Sequence, residues 1–346
     1  MTRIALLVAL SFLSIAASAQ LGGRTAFNLL NIDGSARVAA NGGAFFAVKD
    51  GDINLTAANP SLLDSTVDQQ LALSYVDYYA KTKMGYAGYA HTLRNRKVTV
   101  AANLQYINYA NQTRLDALGN DIGEFNAGDY NLVLGIGYSV DSLWSVGANL
   151  KTVYSSLDTY YSMANALDLA VTYNKKSRNL TISAIARNMG YQWRTYVNGS
   201  RNALPFELMV GFSKRPKRAP FRFSLVAGNL QKWDLTYTNP NATVLVDPAT
   251  GNVIDTGPSW KFGDKLMRHV IASTEILITE NFHLRLSYNY LRRQELKLSD
   301  RPATAGFGLG LGFKVKRFHI SYGRAIYHVS GPANHLTLST SLKEWF

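Results

Sequence analysis

No cysteine occurs anywhere in the 346 residues of this chain. Its absence excludes disulfides, thiol catalysis, Cys-ligated metal sites and a lipid anchor carried on cysteine. Charge is scarce as well. Only 17% of the residues are Asp, Glu, Lys or Arg, well under the ~25% of soluble domains. Beyond the N-terminus no segment strings together the ~18 apolar residues that a membrane-spanning helix needs. The histidines number six. None forms an H-x-x-x-H pair, and none stands beside a carboxylate cluster at metal-ligand spacing. Residues 247–252 are a turn that lacks the ligand count of a calcium loop. No glycine run matches a phosphate-binding or dinucleotide fingerprint. The scattered Ser and His residues on strand-like runs are polar lining. No catalytic, cofactor-binding or metal residue is therefore assigned, and no enzyme activity is expected.

What is present is aromatic and small. Tyrosine is the commonest aromatic, with 20 residues, and there are 27 glycines. Mean hydropathy is close to zero. A β-barrel wall produces this bland average, because one face of each strand meets lipid and the other a polar lumen. Tyrosine suits the interfacial girdles, where an apolar ring ends in a hydroxyl.

Both ends of the chain point the same way. Arg3 precedes an apolar run at 4–17 and an A-x-A site, Ala17-Ser18-Ala19. That is a signal peptide over 1–19, with cleavage between Ala19 and Gln20. At the other end, Leu336, Leu338, Thr340, Leu342, Glu344 and Phe346 alternate with His335, Thr337, Ser339, Ser341, Lys343 and Trp345. The period of two predicts a strand running to the last residue. A transmembrane barrel ends on a strand because its last strand closes against its first. Trp345 and Phe346 form the expected barrel-assembly signal.

About fourteen strand-like runs follow the N-terminal region, near 70–80, 83–93, 97–109, 126–140, 143–156, 160–173, 179–189, 204–213, 221–232, 266–279, 282–292, 303–314, 317–328 and 334–346. Most reach the ~9–11 residues of a tilted membrane strand. Connections alternate in length, as in barrels with short periplasmic turns and longer external loops. The long set comprises 110–125, 190–203, 233–265 and the charged loop 293–302. The fold class expected over 69–346 is all-β, a transmembrane antiparallel β-barrel of about 14 strands. Phe307, Leu309, Leu311 and Phe313 oppose Gly306, Gly308, Gly310 and Gly312. A glycine face fits either close packing inside the barrel or a bend in the wall.

The chain carries a formal charge of +13, much of it in the short turns. The clusters are Arg94, Arg96 and Lys97; Lys175, Lys176 and Arg178; Lys214, Arg215, Lys217 and Arg218; and Lys314, Lys316 and Arg317. Basic clusters can mark nucleic acid, but an exported barrel does not meet it. The partners considered are outer-membrane lipid or lipopolysaccharide beside solvated turns, and an acidic periplasmic protein. Residues 233–265 form the most apolar long connection. Trp233, Tyr237 and Trp260 there are the candidate anchors for a protein partner.

Residues 20–68 are different. Asp33-Gly34-Ser35-Ala36-Arg37, Asn41-Gly42-Gly43, Asp50-Gly51-Asp52 and Asn59-Pro60-Ser61-Leu62 are turn chemistry separated by small and apolar residues. This segment is expected to enter the lumen as a plug.

The order of those motifs resembles the start of the PorV/PorQ family, nearest its PorQ members. These are outer-membrane barrels of Bacteroidetes related to the FadL long-chain fatty acid transporters. The likeness extends loosely over the whole chain. It implies a FadL-like barrel in the outer membrane of a Gram-negative bacterium of that type, with the N-terminal segment in its lumen. It also implies a part in type IX secretion. There the barrel would hold a PorZ-like surface protein, with PorU- and PorV-like components, in a complex that processes and attaches cargo. The FadL relationship alone implies a transporter for hydrophobic small molecules.

Overall fold

The structure, a computed structural model, describes residues 25–32, 34–94, 97–197, 201–236, 261–296, 304–328 and 331–345. The cleavage pair Ala19 and Gln20, the loop aromatics Tyr237 and Trp260, and Phe346 lie outside the described residues.

Fourteen strands close into one antiparallel barrel. They are β1 Gln70–Asp77, β2 Lys83–Thr92, β3 Val98–Leu115, β4 Asp121–Ser139, β5 Trp144–Leu157, β6 Tyr160–Lys175 and β7 Leu180–Arg194. The second half comprises β8 Glu207–Lys214, β9 Phe221–Ala227, β10 Val270–Leu277, β11 Phe282–Asn289, β12 Phe307–Val315, β13 Phe318–His328 and β14 Gly331–Ser341. Each strand pairs with its sequence neighbours, and β1 pairs with β14 from Gln70↔Ser341 to Asp77↔Asn334. Closure leaves no strand of the sheet as a free edge strand. Both ends of the barrel and the connections after β2, β4, β6, β8, β10 and β12, each of six residues or fewer, lie at one rim, here the turn end. The opposite rim, the loop end, carries the long connections after β7, β9 and β11 but also tight ones, such as Asp158–Thr159 between β5 and β6, so the expected alternation of lengths holds only in part.

Alternation along the strands places the two faces. Leu104, Tyr106, Leu134, Leu169, Leu225 and Leu309 are exposed on the outside, while Asn103, Asn149, Asp168, Thr172, Ser183 and Thr337 are buried inside. An apolar belt of this extent is untenable in water and expected in hydrocarbon. No helix among the described residues is long and apolar enough to cross a membrane.

Several boundaries differ from the sequence expectation, for identifiable reasons. The span 110–125 is not a loop. β3 and β4 continue through it as one tall hairpin, with register shifts beside Asn108 and Thr113 and Ala110 at φ 60°. β7 likewise runs on to Arg194. The strand expected from 266 begins at Val270, because α2, Lys261–Arg268, precedes it. A third helix, α3, Tyr290–Leu296, replaces part of the loop expected at 293–302. The terminal strand does not reach Phe346. It stops at Ser341 and turns through a short 3-10 segment, Leu342–Glu344. The reason is its partner. Gln70 is the first residue of β1, and Gln69 before it takes a left-handed conformation at φ 57°. Its carbonyl accepts one last bond from the Leu342 amide at 2.8 Å, and no ladder remains beyond.

The segment before β1 threads the lumen from the loop end to the turn end. It enters where Thr25 bridges Ala203, and it carries α1, Ala36–Ala40. Three of its four 3-10 turns are capped by Asp52, Asn59 and Asp64, whose side chains accept from the amides of Asn54, Ser61 and Thr66. The expected plug is thus built from the Asx turns that its sequence advertises.

Candidate functional site

The lumen is the candidate site, and the plug decides its shape. On β12, Gly308 and Gly310 face the last turn of α1. A Cβ on Gly308 would come within 2.8 Å of the Ala40 carbonyl oxygen, and one on Gly310 within 2.5 Å of the Ala40 Cβ. On β4 and β5, Gly137 and Gly147 face Pro60 in the same way. Of the two explanations for the glycine face, close packing inside the barrel is the one that applies. Around Pro60, Asn59 Nδ2 donates to the Phe46 carbonyl at 2.9 Å, and the Ser61 and Thr172 hydroxyls meet at 2.7 Å.

Charge fastens the plug at the turn end. Arg37 of α1 grips Glu275 of β10, with Nε on Oε1 and Nη2 on Oε2, each at 2.8 Å. The same guanidinium reaches Asp50 at 2.7 Å and Asp52 at 2.9 Å. Arg222 of β9 contacts Asp50 at 2.7 Å and Glu275 at 2.6 Å, and Arg285 of β11 contacts Glu275 at 3.1 Å. Three arginines thus meet three carboxylates, and Glu275 is only 1% exposed. Burial pushes the Asp50 carboxyl up, but the charges of Arg37 and Arg222 outweigh it and hold Asp50 well below the usual carboxylate range. Burial would lower Arg37, yet Asp50 and Glu275 raise it well above an ordinary guanidinium. A buried cluster of this kind is stable only while every member keeps its partners. A smaller cluster sits higher in the lumen, where Lys151 pairs with Asp168 at 2.8 Å.

The plug separates two vestibules. One, at the loop end, has a volume of about 710 Å3 and is lined by Phe27, Thr82, Tyr109, Phe125, Asp129 and Tyr196 among others. Asp129 accepts from the Tyr109 hydroxyl at 2.6 Å and from Ser155. The other, at the turn end, holds about 430 Å3 around Arg37, Asp50, His283, Arg285 and His319. Deep in the lumen, beside Ile32 and Gln105, a third space measures about 50 Å3, room for a few waters.

Of the expected partner-binding aromatics, Trp233 is described. It is 51% exposed, and its ring lies 5.7 Å from Phe262 of α2 and stacks at 5.6 Å on His269. His269 Nε2 is 3.1 Å from the Trp233 carbonyl oxygen, and Lys265 pairs with Asp234 at 2.7 Å. Phe262 is 66% exposed beside it, and Leu266 is also exposed. The result is an aromatic ledge at the loop end that sequence reading placed in a loop. At the turn end Trp345 packs edge-on to Phe318 at 5.5 Å, under Arg317, and its Nε1 donates to Thr340 at 3.0 Å.

Arg37, Asp50 and Asp52 entered the sequence reading only as parts of turn motifs, and Glu275, Arg222 and Arg285 did not enter it. A signal was available. On β10, Ser273 and Glu275 share the inward face, and an ionisable residue facing a barrel lumen needs a partner of opposite sign. Among the described residues no group of three or more His, Asp or Glu side chains could hold a metal ion.

No family model and no curated protein matches this sequence. Among solved structures, the chain is similar to a "TodX monoaromatic hydrocarbon channel deltaS2 mutant", with a TM-score of 0.50 and 12% identity over 89% of this chain and 97% of that one. It is also similar to a Pseudomonas aeruginosa FadL homologue, with a TM-score of 0.49 and 9% identity over 89% and 98% of the two chains. The CymD monoaromatic hydrocarbon channel gives 0.47 and 13% over 91% and 97%. The likeness is one of fold, a closed antiparallel barrel.

Proposed function

We propose that this chain is a non-enzymatic, PorQ-like barrel of the outer membrane of a Bacteroidetes-type bacterium, serving type IX secretion. Its turn end faces the periplasm and its loop end the outside. It holds a PorZ-like surface protein, alongside PorU- and PorV-like components, where cargo is processed and attached. The motifs of residues 35–62 suggest the family. The observation that carries the anchoring role is a lumen occupied and clasped by its own N-terminal segment, joined to an exposed aromatic ledge outside. A wall fastened to its plug by Arg37 and Glu275 suits a rigid mount. The ledge of Trp233, Phe262 and Leu266 supplies the apolar anchors an interface needs.

A second reading has its own support. The loop-end vestibule of about 710 Å3 mixes Phe27 and Phe125 with polar groups, and pockets of that size and lining suit small hydrophobic molecules. Two of the fold neighbours are named as monoaromatic hydrocarbon channels. On this reading the barrel is a FadL-like transporter.

One experiment separates the two. In a strain lacking the barrel, the anchor reading expects the surface protein in the medium and cargo unattached. Complementation with Trp233→Ala plus Phe262→Ala should leave the barrel inserted and weaken partner capture at least tenfold, since a central aromatic anchor contributes ~2 kcal/mol or more. Intact cargo attachment with failed uptake of hydrophobic compounds selects the transporter instead.

A further inference from the structure

The outer wall of β4–β8 is dented by small side chains. Two rows of lipid-facing residues cross it in register. One runs Ile136, Ala148, Leu169, Ala186, Leu208, and the other runs Tyr138, Val146, Val171, Ala184, Val210. Ala148, Ala184 and Ala186 interrupt rows of large side chains and leave an apolar groove of about 770 Å3. Leu230 closes its loop-end side, its amide bonded to the Leu208 carbonyl at 3.0 Å.

At the turn end of the same strands the charge is one-sided. Lys175 ends β6 and Lys214 ends β8, on the lipid-facing parity of Val171 and Val210. Both are in register with Leu180 of β7, which separates them. The two turns that follow carry Lys176, Arg178, Arg215, Lys217 and Arg218 and no acidic residue. They touch, with the Arg215 amide donating to the Asn179 carbonyl at 3.1 Å. Among the described residues none of these seven cations has an ion-pair partner, whereas Lys314 and Lys343 on the same rim pair with Glu344 and Asp68.

We propose that this wall binds one anionic phospholipid of the leaflet at the turn end, its phosphate held between Lys175 and Lys214 and an acyl chain laid in the Ala184–Ala186 groove. Spacing supports a single ligand spanning both features. Val210 and Lys214, like Val171 and Lys175, are four residues apart, about 13 Å along a strand. The hydrocarbon of one leaflet is about 15 Å deep, so the groove lies within reach of a chain whose phosphate sits on the rim. Strands about 4.8 Å apart put the two lysine backbones roughly 10 Å from each other, and their flexible stems can converge on one phosphate. The phosphate supplies the negative charge these turns lack, and the chain fills a wall that side chains leave open. The inference rests on the proposed seat of the barrel in a bilayer.

The test is lipid retention by the purified full chain in mild detergent, read by native mass spectrometry with phosphatidylglycerol and phosphatidylcholine as probes. The barrel should hold one phosphatidylglycerol with at least threefold preference. Lys175→Gln with Lys214→Gln should abolish the preference, Lys175→Arg with Lys214→Arg should keep it, and Lys316→Gln elsewhere on the rim should leave it unchanged. Ala184→Phe, which fills the groove, should lower retention of both lipids. A heat-dependent gel shift and insertion into vesicles establish that each variant is folded and seated. Failure of the unmutated chain to insert would overturn the membrane seat itself. An inserted barrel that holds both lipids equally, or whose preference survives the glutamine pair, overturns the lipid site alone.

Discussion

Arg37 and Glu275, 238 positions apart in the chain, meet fork to fork with both hydrogen bonds at 2.8 Å. The guanidinium belongs to the plug and the carboxylate to the wall. Removing either leaves the other buried beside charges chosen for its presence, which costs about 3–5 kcal/mol in comparable pairs. Glu275→Gln and Arg37→Ala should each leave a closed barrel with a loosened plug. The check is limited proteolysis of the folded protein. Cleavage within residues 25–68 should accelerate at least tenfold while the barrel band persists. Unchanged protection would show that the glycine contacts alone hold the plug.

Acid should act through Asp50. Its folded carboxyl is held below the ordinary value by Arg37 and Arg222. A depressed carboxylate contributes stability that is complete above the unfolded value, ~3.9, and is lost as pH falls toward the folded one. Plug protection should therefore be flat from pH 8 to 5 and decline below about pH 4. In Asp50→Asn it should start lower and change less with acid. Proteolysis by an acid-active protease across this range measures both curves.

The barrel was legible because its signal is repeated. A period of two, repeated fourteen times, locates strands even where single boundaries drift, and β5 falls close to where alternation puts it. Residues 110–125 were not legible as strand. Asn111, Gln112, Thr113 and Glu124 stand above any lipid belt, where both faces of a hairpin are wet and the apolar alternation vanishes. Helices α2 and α3 escaped for a related reason, being short and polar in long loops. The terminal turn escaped because its cause lies at Gln69 and Gln70, at the far end of the barrel sequence. The clasp was hidden in a different way. Each of its six residues is unremarkable alone, and only closure of the barrel brings β9, β10 and β11 around Arg37.

The glycines of β12 answer to α1 rather than to strand propensity. Gly308→Val or Gly310→Leu puts side-chain atoms where Ala40 lies, and overpacking of this kind typically costs 1–3 kcal/mol. The wall is held by ladders on both sides, so the plug should yield first. Higher single-channel conductance in planar bilayers is the expected readout for Gly310→Leu. Leu309→Val, on the lipid side of the same strand, should conduct like the parent. Equal conductance in both variants would place the resistance elsewhere in the lumen.

Trp345 gives the terminal turn a structural duty. Its ring packs on Phe318 beneath Arg317, and its indole nitrogen donates to Thr340. Those contacts hold the last turn against β13, next to the seam where β14 meets β1. Trp345→Ala should lower the temperature at which the heat-modifiable band is lost by several degrees. An unchanged transition would show that the seam holds without the indole.

Orientation in the membrane is the relationship on which the functional reading depends most. Leu118 stands 87% exposed at the tip of the β3–β4 hairpin, at the loop end, and Lys217 is exposed in the β8–β9 turn at the other. The chain has no cysteine, so Leu118→Cys and Lys217→Cys each introduce a single label site without competing thiols. On intact cells a membrane-impermeant maleimide should mark position 118 and spare position 217, and both should label after the outer membrane is permeabilised. The basic rim would then face the periplasmic leaflet, and the ledge of Trp233 and Phe262 would face the surface protein it is proposed to hold. Labelling of 217 and sparing of 118 would invert the barrel and turn the ledge inward, away from any surface partner.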